Sequence, residues 1–247
     1  MDETAPVSLV IPTKDADGGR LRDSLISVSH QDSPPAEVII VDSTDGGFPF
    51  DLDDTRCCGR GDPVAHGIEA LTAAGSTFFL YEVDQSAIAF QRNVGINQAS
   101  EPFVWTFDDT TVIETPNWTE RAVQRLTTET DVVGVGGIPV GPVDDDPLGK
   151  AVAAATSALS LPYGGWRLTF PRQLCQNDRC FPPTMHRGDT DSVRVELNRH
   201  GRLVRDTSLR FRDDIPTTRQ RRNLALGSAA GVGMMALRHL SHGVKST

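Results

Sequence analysis

Apolar runs with the length of strands alternate with helical segments through the first half of the chain, and this alternation limits the possible folds more than any other feature. The segments between the runs repeat their apolar residues at helical spacing. Near-continuous apolar runs are typical of strands buried on both faces of a parallel sheet. The sequence therefore predicts an α/β fold with a mostly parallel central sheet flanked by helices. The clearest runs are Val7–Ile11, Glu37–Asp42, Thr77–Val83 and Phe103–Phe107.

Acidic residues stand at the ends of two of these runs. Asp42 is the last residue of the second run, and Asp108 and Asp109 directly follow the fourth. In open α/β sheets, ligands bind beyond the carboxyl ends of the strands. We therefore expect these carboxylates to belong to a ligand site.

Charge and composition limit the class of partner. The 247 residues carry a formal net charge of -9. A general nucleic-acid surface is not expected, because phosphate binding requires basic residues. Lys14, Lys150 and Lys245 are the only lysines, and aspartate is abundant. Such a composition is typical of proteins from salt-loving archaea, whose acidic surfaces stay hydrated in salt; a high-GC genome is the alternative explanation.

The four cysteines do not have the spacing of the usual zinc sites. Reduced thiols in a cytosolic protein are therefore expected, with a zinc site or a Cys175–Cys180 disulfide as the alternatives. The acidic N-terminus and the short apolar run after it do not match a signal peptide, which favours a cytoplasmic location. The other two cysteines are Cys57 and Cys58.

Four segments resemble glycosyltransferase family 2, a family of nucleotide-sugar-dependent enzymes with the GT-A fold. They occur in the family's order within the first half of the chain, so the resemblance covers the donor-binding side. The segments are Val7–Asp15 (VSLVIPTKD), Glu37–Asp45 (EVIIVDSTD), Gln91–Ala99 (QRNVGINQA) and Phe103–Thr110 (FVWTFDDT), the last followed by Pro116–Trp118.

The resemblance implies a nucleoside pocket at the ends of the first two strands. Pro12, Thr13 and Asp15 would line this pocket. Asp42 would accept hydrogen bonds from the base or the ribose, since an ionised carboxylate is purely an acceptor. The alternative for Asp42 is a structural role in the turn after its strand.

The third segment implies donor contacts from a helix. Arg92 would face the donor, and Asn93 with Gly95 would shape a close approach. The alternative for Arg92 is an exposed position on the helix surface.

The resemblance also implies a divalent cation, Mg²⁺ or Mn²⁺, held by Asp108 and Asp109. Such a cation neutralises the charge on a leaving diphosphate, and Asp108 would also contact the donor. The family usually has Asp-x-Asp here, whereas this chain has Thr110 at the third position, and threonine is a weaker ligand. Two acids that cap a turn are the alternative.

Inverting transfer requires a base that takes the proton of the acceptor hydroxyl. The resemblance places this base at the start of a helix, where Asp189 is the first candidate and Asp191 the second. Gly188 occupies the position of a family glutamate, and Ser208–Arg212 lacks the family's metal-binding histidine. The alternative for Asp189 is a helix cap.

The second half is less regular, and we expect it to bind the acceptor. We expect one glycosyltransferase domain over 1–247, with a donor-binding half (1–130) and an acceptor-side half (131–247) that ends in a helix. Leu224–Leu237 is too short to span a bilayer, and either lies peripherally on the cytoplasmic membrane surface or packs inside the protein. Five arginines are candidates for phosphate contacts or for a solvated surface: Arg167, Arg172, Arg219, Arg221 and Arg222.

The resulting hypothesis is a glycosyltransferase of hexosyltransferase type. It would move a sugar from a nucleotide-diphosphate donor to a glycan or a lipid-linked acceptor of the dolichol phosphate type, in surface-glycan or protein N-glycosylation assembly. The alternative is a catalytically inactive, donor-binding partner in a glycan-assembly complex. A nucleotidyltransferase is a third possibility, although the glycine-rich loop typical of that class is missing directly after the first strand.

Overall fold

A computed structural model describes residues 4–14, 16, 19–48, 63–140, 167–178, 180–181 and 189–213. Within these ranges, one eight-stranded sheet is flanked by α-helices. The strands are β1 (Ala5–Thr13), β2 (Pro35–Asp42), β3 (Thr77–Glu82), β4 (Phe103–Thr106), β5 (Thr111–Ile113), β6 (Val132–Pro139), β7 (Leu168–Pro171) and β8 (Arg202–Asp213). The helices are α1 (Arg20–Ser29), α2 (Pro63–Ala73), α3 (Ile88–Gln98), α4 (Trp118–Thr128) and α5 (Asp189–Leu197), with a 3-10 turn at Arg172–Leu174.

The four strands expected from the apolar runs lie side by side in the order β3-β2-β1-β4 and run parallel. Thr13 pairs with Asp42, and Asp42 pairs with Glu82, so β1, β2 and β3 end level with one another. Val10 of β1 pairs with Thr106 of β4, so the residues after Thr106 reach the same edge. The α/β prediction is confirmed, and the two groups of aspartates emerge at one edge.

The rest of the sheet is mixed. β7 runs antiparallel to β4 and to β6, whereas β8 runs parallel to β6 and antiparallel to β5. Among the described residues, four of the seven strand pairings are parallel, so the sheet is mostly parallel, as predicted. β5, β7 and β8 were not predicted from the sequence.

Both faces of the sheet are covered, which explains the apolar runs. On β1, Leu9 and Ile11 belong to a core cluster with Leu25 of α1 and Trp118 of α4. Val10, between them, belongs to the cluster on the other face. Because strand side chains alternate between faces, a strand covered on both sides is mostly apolar, and the buried Ser8 hydroxyl of β1 is hydrogen-bonded to Glu37.

Cys175 and Cys180 are disulfide-bonded, with their Cα atoms 4.9 Å apart. The expectation of reduced thiols was therefore wrong for this pair. The turn between them brings the two Cβ atoms within bonding reach, which residue spacing alone does not reveal. Both cysteines are buried beside α3.

Within the described ranges, no helix combines the length and apolarity needed to cross a bilayer. Several expectations fall on residues outside these ranges. In the second half they are the C-terminal helix, the apolar segment Leu224–Leu237, and Arg219, Arg221 and Arg222; in the first half they are the thiols of Cys57 and Cys58.

Candidate functional site

Three expected site residues meet at the carboxyl edge of the sheet. Thr13 and Asp42 are register partners at the ends of β1 and β2. The Thr13 hydroxyl donates a 2.8 Å hydrogen bond to Oδ2 of Asp109, which lies beyond β4. The fold thus joins two motifs that are far apart in the sequence.

Asp42 is buried at the bottom of this edge, with 1% of its surface exposed. Its Oδ1 accepts hydrogen bonds from the Thr44 amide at 3.0 Å and the Thr44 hydroxyl at 2.5 Å. Burial raises the pKa of Asp42, the Thr44 hydrogen bonds offset part of this effect, and the negative charge of Glu82 raises the pKa further. Asp42 therefore has the turn-forming role, and its contact with a donor stays a prediction.

Arg92 and Arg167 converge on Asp108. Arg92, on α3, places Nη2 2.5 Å from Oδ1 of Asp108, and Arg167, just before β7, places Nη2 3.6 Å from Oδ2. Arg92 is 1% exposed and Arg167 7%. The alternative of an exposed Arg92 is therefore wrong, because charged side chains are buried this deeply only when paired.

The side chain of Arg167 makes two further contacts. Its Nε donates to the Thr111 hydroxyl at 3.1 Å, and its Cζ lies 4.7 Å from the ring centroid of Phe211 on β8. The resemblance would place a histidine in Ser208–Arg212. This segment belongs to β8, and its Phe211 ring lies under Arg167. The two arginines and Asp108 form a compact cluster, and guanidinium groups are suited to anionic ligands.

Ser24 of α1 fixes the turn that carries the two aspartates. Its hydroxyl lies 2.8 Å from the carbonyl oxygen of Asp109 and 2.6 Å from that of Thr111. The Thr111 amide donates to the Asp108 carbonyl at 2.9 Å, which closes the turn. Ser24 could not be recognised from the sequence, because a serine on a helix surface usually has no functional role.

Gln91 forms the floor between β1 and β2. Its buried amide Nε2 lies 2.7 Å from the Thr13 carbonyl and 2.8 Å from the Val41 carbonyl, and donates to both. Gly95, one turn further along α3, faces β1 so closely that any Cβ there would overlap the side chain of Val10. The close approach expected at this glycine is therefore between helix and strand.

The remaining candidates differ in what the structure describes. Pro12 is buried near the end of β1, and Asp15 lies outside the described residues. Asn93 is buried, and its Nδ2 donates to the carbonyl oxygen of Phe181. Asp189 and Asp191 lie in the first turn of α5, and their catalytic role stays a prediction.

Arg172 lies away from this cluster. Its Nε donates to the carbonyl oxygen of Glu101, before β4, and so reaches the amino edge of the sheet. Arg167 and Arg172 were grouped as phosphate candidates, and only Arg167 reaches the carboxyl edge. The antiparallel run of β7 separates them, because its two ends point to opposite edges.

Asp108 and Asp109 differ in how well they suit a divalent cation. Asp108 is committed to two arginines, whose charges oppose a cation at that carboxylate. Asp109 accepts a hydrogen bond from the Thr13 hydroxyl, and a carboxylate is a ligand type that Mg²⁺ and Mn²⁺ prefer. Among the described residues, no group of three or more His, Cys, Asp or Glu is placed to hold a metal. Asp109 fits a cation that takes its other ligands from a bound molecule.

The sheet and its flanking helices have the fold of the GT-A nucleotide-sugar transferases, as expected. No protein-family model and no curated protein matches the sequence. Among solved structures, the mannosyltransferase PcManGT from Pyrobaculum calidifontis in complex with GDP-Man and Mn²⁺ is similar at a TM-score of 0.63 and 20% identity, over 95% of this chain and 65% of that chain.

Two further solved structures have the same fold. S. aureus TarS residues 1–349 match at a TM-score of 0.58 and 13% identity, over 84% of this chain and 60% of that chain. Glucosyl-3-phosphoglycerate synthase from Mycobacterium tuberculosis, in complex with Mn²⁺, UDP and its product, matches at 0.54 and 13% identity, over 92% of this chain and 78% of that chain. The chain thus spans 60% to 65% of the length of TarS 1–349 and PcManGT. At these identities the likeness establishes the fold, and function must be argued from the site.

Proposed function

We propose that this chain is a glycosyltransferase that binds a nucleotide-diphospho-sugar at the carboxyl edge of its sheet and transfers the sugar to a glycan or lipid-phosphate-linked acceptor. The observation that carries the proposal is the cluster of Arg92, Asp108 and Arg167 at that edge. Two buried arginines there suit a diphosphate, because a guanidinium pairs with phosphate oxygens through two hydrogen bonds.

In this proposal the donor lies across the ends of β1 and β2. Asp42 accepts hydrogen bonds from the base or the ribose, and Pro12, Thr13 and Asp15 line the nucleoside pocket. Asn93 donates from Nδ2 to the Phe181 carbonyl oxygen, and its contact with the donor remains part of this proposal. The buried, partly compensated carboxylate of Asp42 supports its role, since it favours a ligand that brings hydrogen-bond donors.

Arg92 and Arg167 stabilise the charge that develops on the diphosphate as the sugar leaves, with Asp108 holding both guanidinium groups in place. Asp109 would hold Mg²⁺ or Mn²⁺, and the bound cation would help to neutralise the charge of the leaving group. The Mn²⁺ in the PcManGT and glucosyl-3-phosphoglycerate synthase structures supports this part. Asp189, or else Asp191, takes the proton of the acceptor hydroxyl, and the transfer inverts the configuration of the sugar.

The biological setting is proposed from the same expectations. The enzyme acts in the cytoplasm or at the cytoplasmic face of the membrane, with residues 224–237 as the peripheral contact, in surface-glycan or protein N-glycosylation assembly of a salt-adapted organism. Dolichol-phosphate-type acceptors fit this setting. Flotation of the protein with lipid vesicles, with and without residues 224–247, tests the membrane contact.

The central test incubates the full chain with a panel of UDP- and GDP-sugars and lipid extract, with Mg²⁺, with Mn²⁺ or with a chelator. We expect transfer in the presence of the cation, and loss of transfer in Asp189→Asn with retained donor binding. Asp131→Asn is the matched control, because the Asp131 carboxylate is 65% exposed and pairs with Arg202 at the surface. Release of pyrophosphate from a nucleoside triphosphate and a sugar phosphate would overturn the proposal.

The inactive binding partner is the second candidate function. The ion pairs of Asp108 with two arginines favour this candidate. Thr110 in place of the second aspartate of Asp-x-Asp, and Gly188 in place of the family glutamate, favour it as well. Donor binding without transfer or hydrolysis under every cation condition would select this alternative.

The cation proposal has its own readout. Calorimetric binding of UDP or GDP to wild-type protein should strengthen when Mn²⁺ is added, and Asp109→Asn should remove this increase. Equal affinity with and without Mn²⁺ in the wild type would contradict a cation site at Asp109.

A further inference from the structure

A disulfide-closed loop packs against the helix that carries Arg92. Cys175 and Cys180 are bonded and almost completely buried, and Phe181 follows them in the same core cluster. Asn177 and Asp178 both have φ values of 59°, in the left-handed region. Such backbone is costly without a constraint, although asparagine and aspartate tolerate it best. The disulfide supplies a constraint on this loop, which we call the 175–180 loop.

The 175–180 loop and Phe181, the residue that follows it, contact α3 at two successive helical turns. Asn93 donates from Nδ2 to the carbonyl oxygen of Phe181. Asn97 donates from Nδ2 to Oδ1 of Asp178 at 3.1 Å, and its Oδ1 accepts the Asn177 amide at 3.1 Å. Residues four apart share one helix face, so these contacts fix both the position and the rotation of α3 against the loop.

Arg92 lies between this loop and the turn that carries Asp108 and Asp109. Its Cζ is 5.6 Å from the ring centroid of Phe181, within the range of a cation–π contact. Its Nη2 forms the ion pair with Asp108. The ring of Phe181 thus lies against the same guanidinium that meets Asp108.

We propose that the 175–180 loop positions Arg92, with Phe181 and Asn93 as positioning residues, so that affinity for a nucleoside diphosphate depends on the Cys175–Cys180 disulfide. The part that concerns affinity rests on the proposed function. Reduction by an added dithiol transfers two electrons and two protons to the disulfide, which becomes two thiols while the dithiol closes to its own disulfide. The loop then loses its covalent closure, and the contacts with Asn93 and Asn97 loosen.

The first experiment measures hydrogen exchange of the full chain before and after dithiothreitol. The protein carries Cys57→Ser and Cys58→Ser, so that only the loop disulfide responds. We expect faster exchange in α3 after reduction, with α1 unchanged as the internal reference. Unchanged exchange in α3 after confirmed reduction would overturn the proposal. This readout needs no ligand, so it remains decisive even if no nucleotide binds and the proposed function fails.

The second experiment measures the Kd of UDP and GDP by calorimetry in the same protein. Reduction should raise the Kd of whichever nucleotide binds by about 3- to 10-fold, the size expected from a displaced cation–π and ion-pair partner. Equal Kd in the two redox states would overturn the dependence of binding on the loop. The paired Cys175→Ala and Cys180→Ala variant, which preserves the apolar surroundings, should behave like the reduced protein.

Phe181→Leu separates positioning from general stability. Its matched control is Phe170→Leu, since Phe170 is equally buried in the same core cluster. Both variants should lower Tm, but only Phe181→Leu should raise the Kd, by about 3- to 10-fold, because only Phe181 lies under Arg92. A Kd that rises equally in both variants would assign Phe181 a purely structural role and overturn this part of the proposal.

Discussion

The amino and carboxyl edges of the sheet each contain a buried carboxylate, and the pKa values of the two are shifted in opposite directions. At the amino edge, Glu37 accepts hydrogen bonds from the Ser8 hydroxyl and from the amide and hydroxyl of Ser100. Burial alone would raise the pKa of Glu37, but these hydrogen bonds outweigh it and lower the pKa. At the carboxyl edge, burial dominates and the pKa of Asp42 is raised.

This difference separates a structural carboxylate from one suited to a ligand. Glu37 obtains from its neighbours all the compensation that its charge requires, so its charge stabilises the fold. Asp42 obtains less than it requires, and a ligand that brings further donors to this edge would gain by supplying them. The predictions below test this contrast, beginning with the largest effect.

Asp108→Asn should have the largest effect, because it leaves Arg92 and Arg167 without the anion on which they converge. We expect the transfer rate to fall by about 100-fold or more, and the free energy of unfolding to fall by about 2 to 4 kcal/mol. Steady-state kinetics and urea denaturation measure the two effects. Asp131→Asn, which breaks a surface ion pair, should change either quantity little, and an equal effect in that variant would contradict the special role of Asp108.

Glu37→Gln should come next and should act on stability alone. It removes an acceptor that three hydrogen bonds require, and we expect the free energy of unfolding to fall by about 1 to 3 kcal/mol. The Kd of the nucleotide, measured on the folded variant, should not change. A higher Kd in this variant would mean that the amino and carboxyl edges of the sheet are coupled rather than independent.

Asp42→Asn should show the reverse pattern. The Kd for the nucleotide should rise by about 10-fold through loss of a charged acceptor. Stability should not fall, since the raised pKa means that folding favours the neutral form and the amide oxygen can still accept from Thr44. Calorimetry and denaturation on the same sample check both results, and a marked loss of stability would contradict this interpretation of Asp42.

The smallest effect is a pair of opposite pH slopes. Because the folded pKa of Glu37 is lowered, its stabilisation is present above the unfolded pKa and is lost as the pH falls through the folded value. Because the folded pKa of Asp42 is raised, its contribution is present below the unfolded pKa and is lost as the pH rises. As the pH rises through the ordinary pKa range of carboxylates, the stability of wild type relative to Glu37→Gln should therefore increase, and that relative to Asp42→Asn should decrease.

The sequence was most informative where strands are covered on both faces. β1, β2 and β4 were predicted because strands buried on both faces are mostly apolar and this pattern is local. The edge strand β3 is exposed or half-buried, and it was found from its short run of aromatic and aliphatic residues. β5 is only three residues long, and β8 includes Arg202, Arg205, Arg210 and Arg212, so neither presents such a run. β7 lies within a stretch rich in proline and glycine, where local patterns favour turns.

The candidate site also combines residues that a local pattern reveals with residues that only the packing brings together. Asp42, Asp108 and Asp109 were found from their places after strands, which is local information. The contacts of Arg167 with Asp108 and of Ser24 with the acidic turn depend on how distant segments pack, and no spacing in the chain encodes them. The Cys175–Cys180 disulfide was named only as an alternative to reduced thiols for a related reason, since it depends on a turn with two left-handed residues.

Gln91 has a consequence for how a ligand would be discriminated. One side-chain amide ties the ends of β1 and β2 together through the Thr13 and Val41 carbonyls before any ligand arrives. The base of the cleft is therefore preorganised, and binding need not spend conformational entropy on ordering it. If the proposed donor binds at this edge, its selectivity would then depend on side chains other than Gln91.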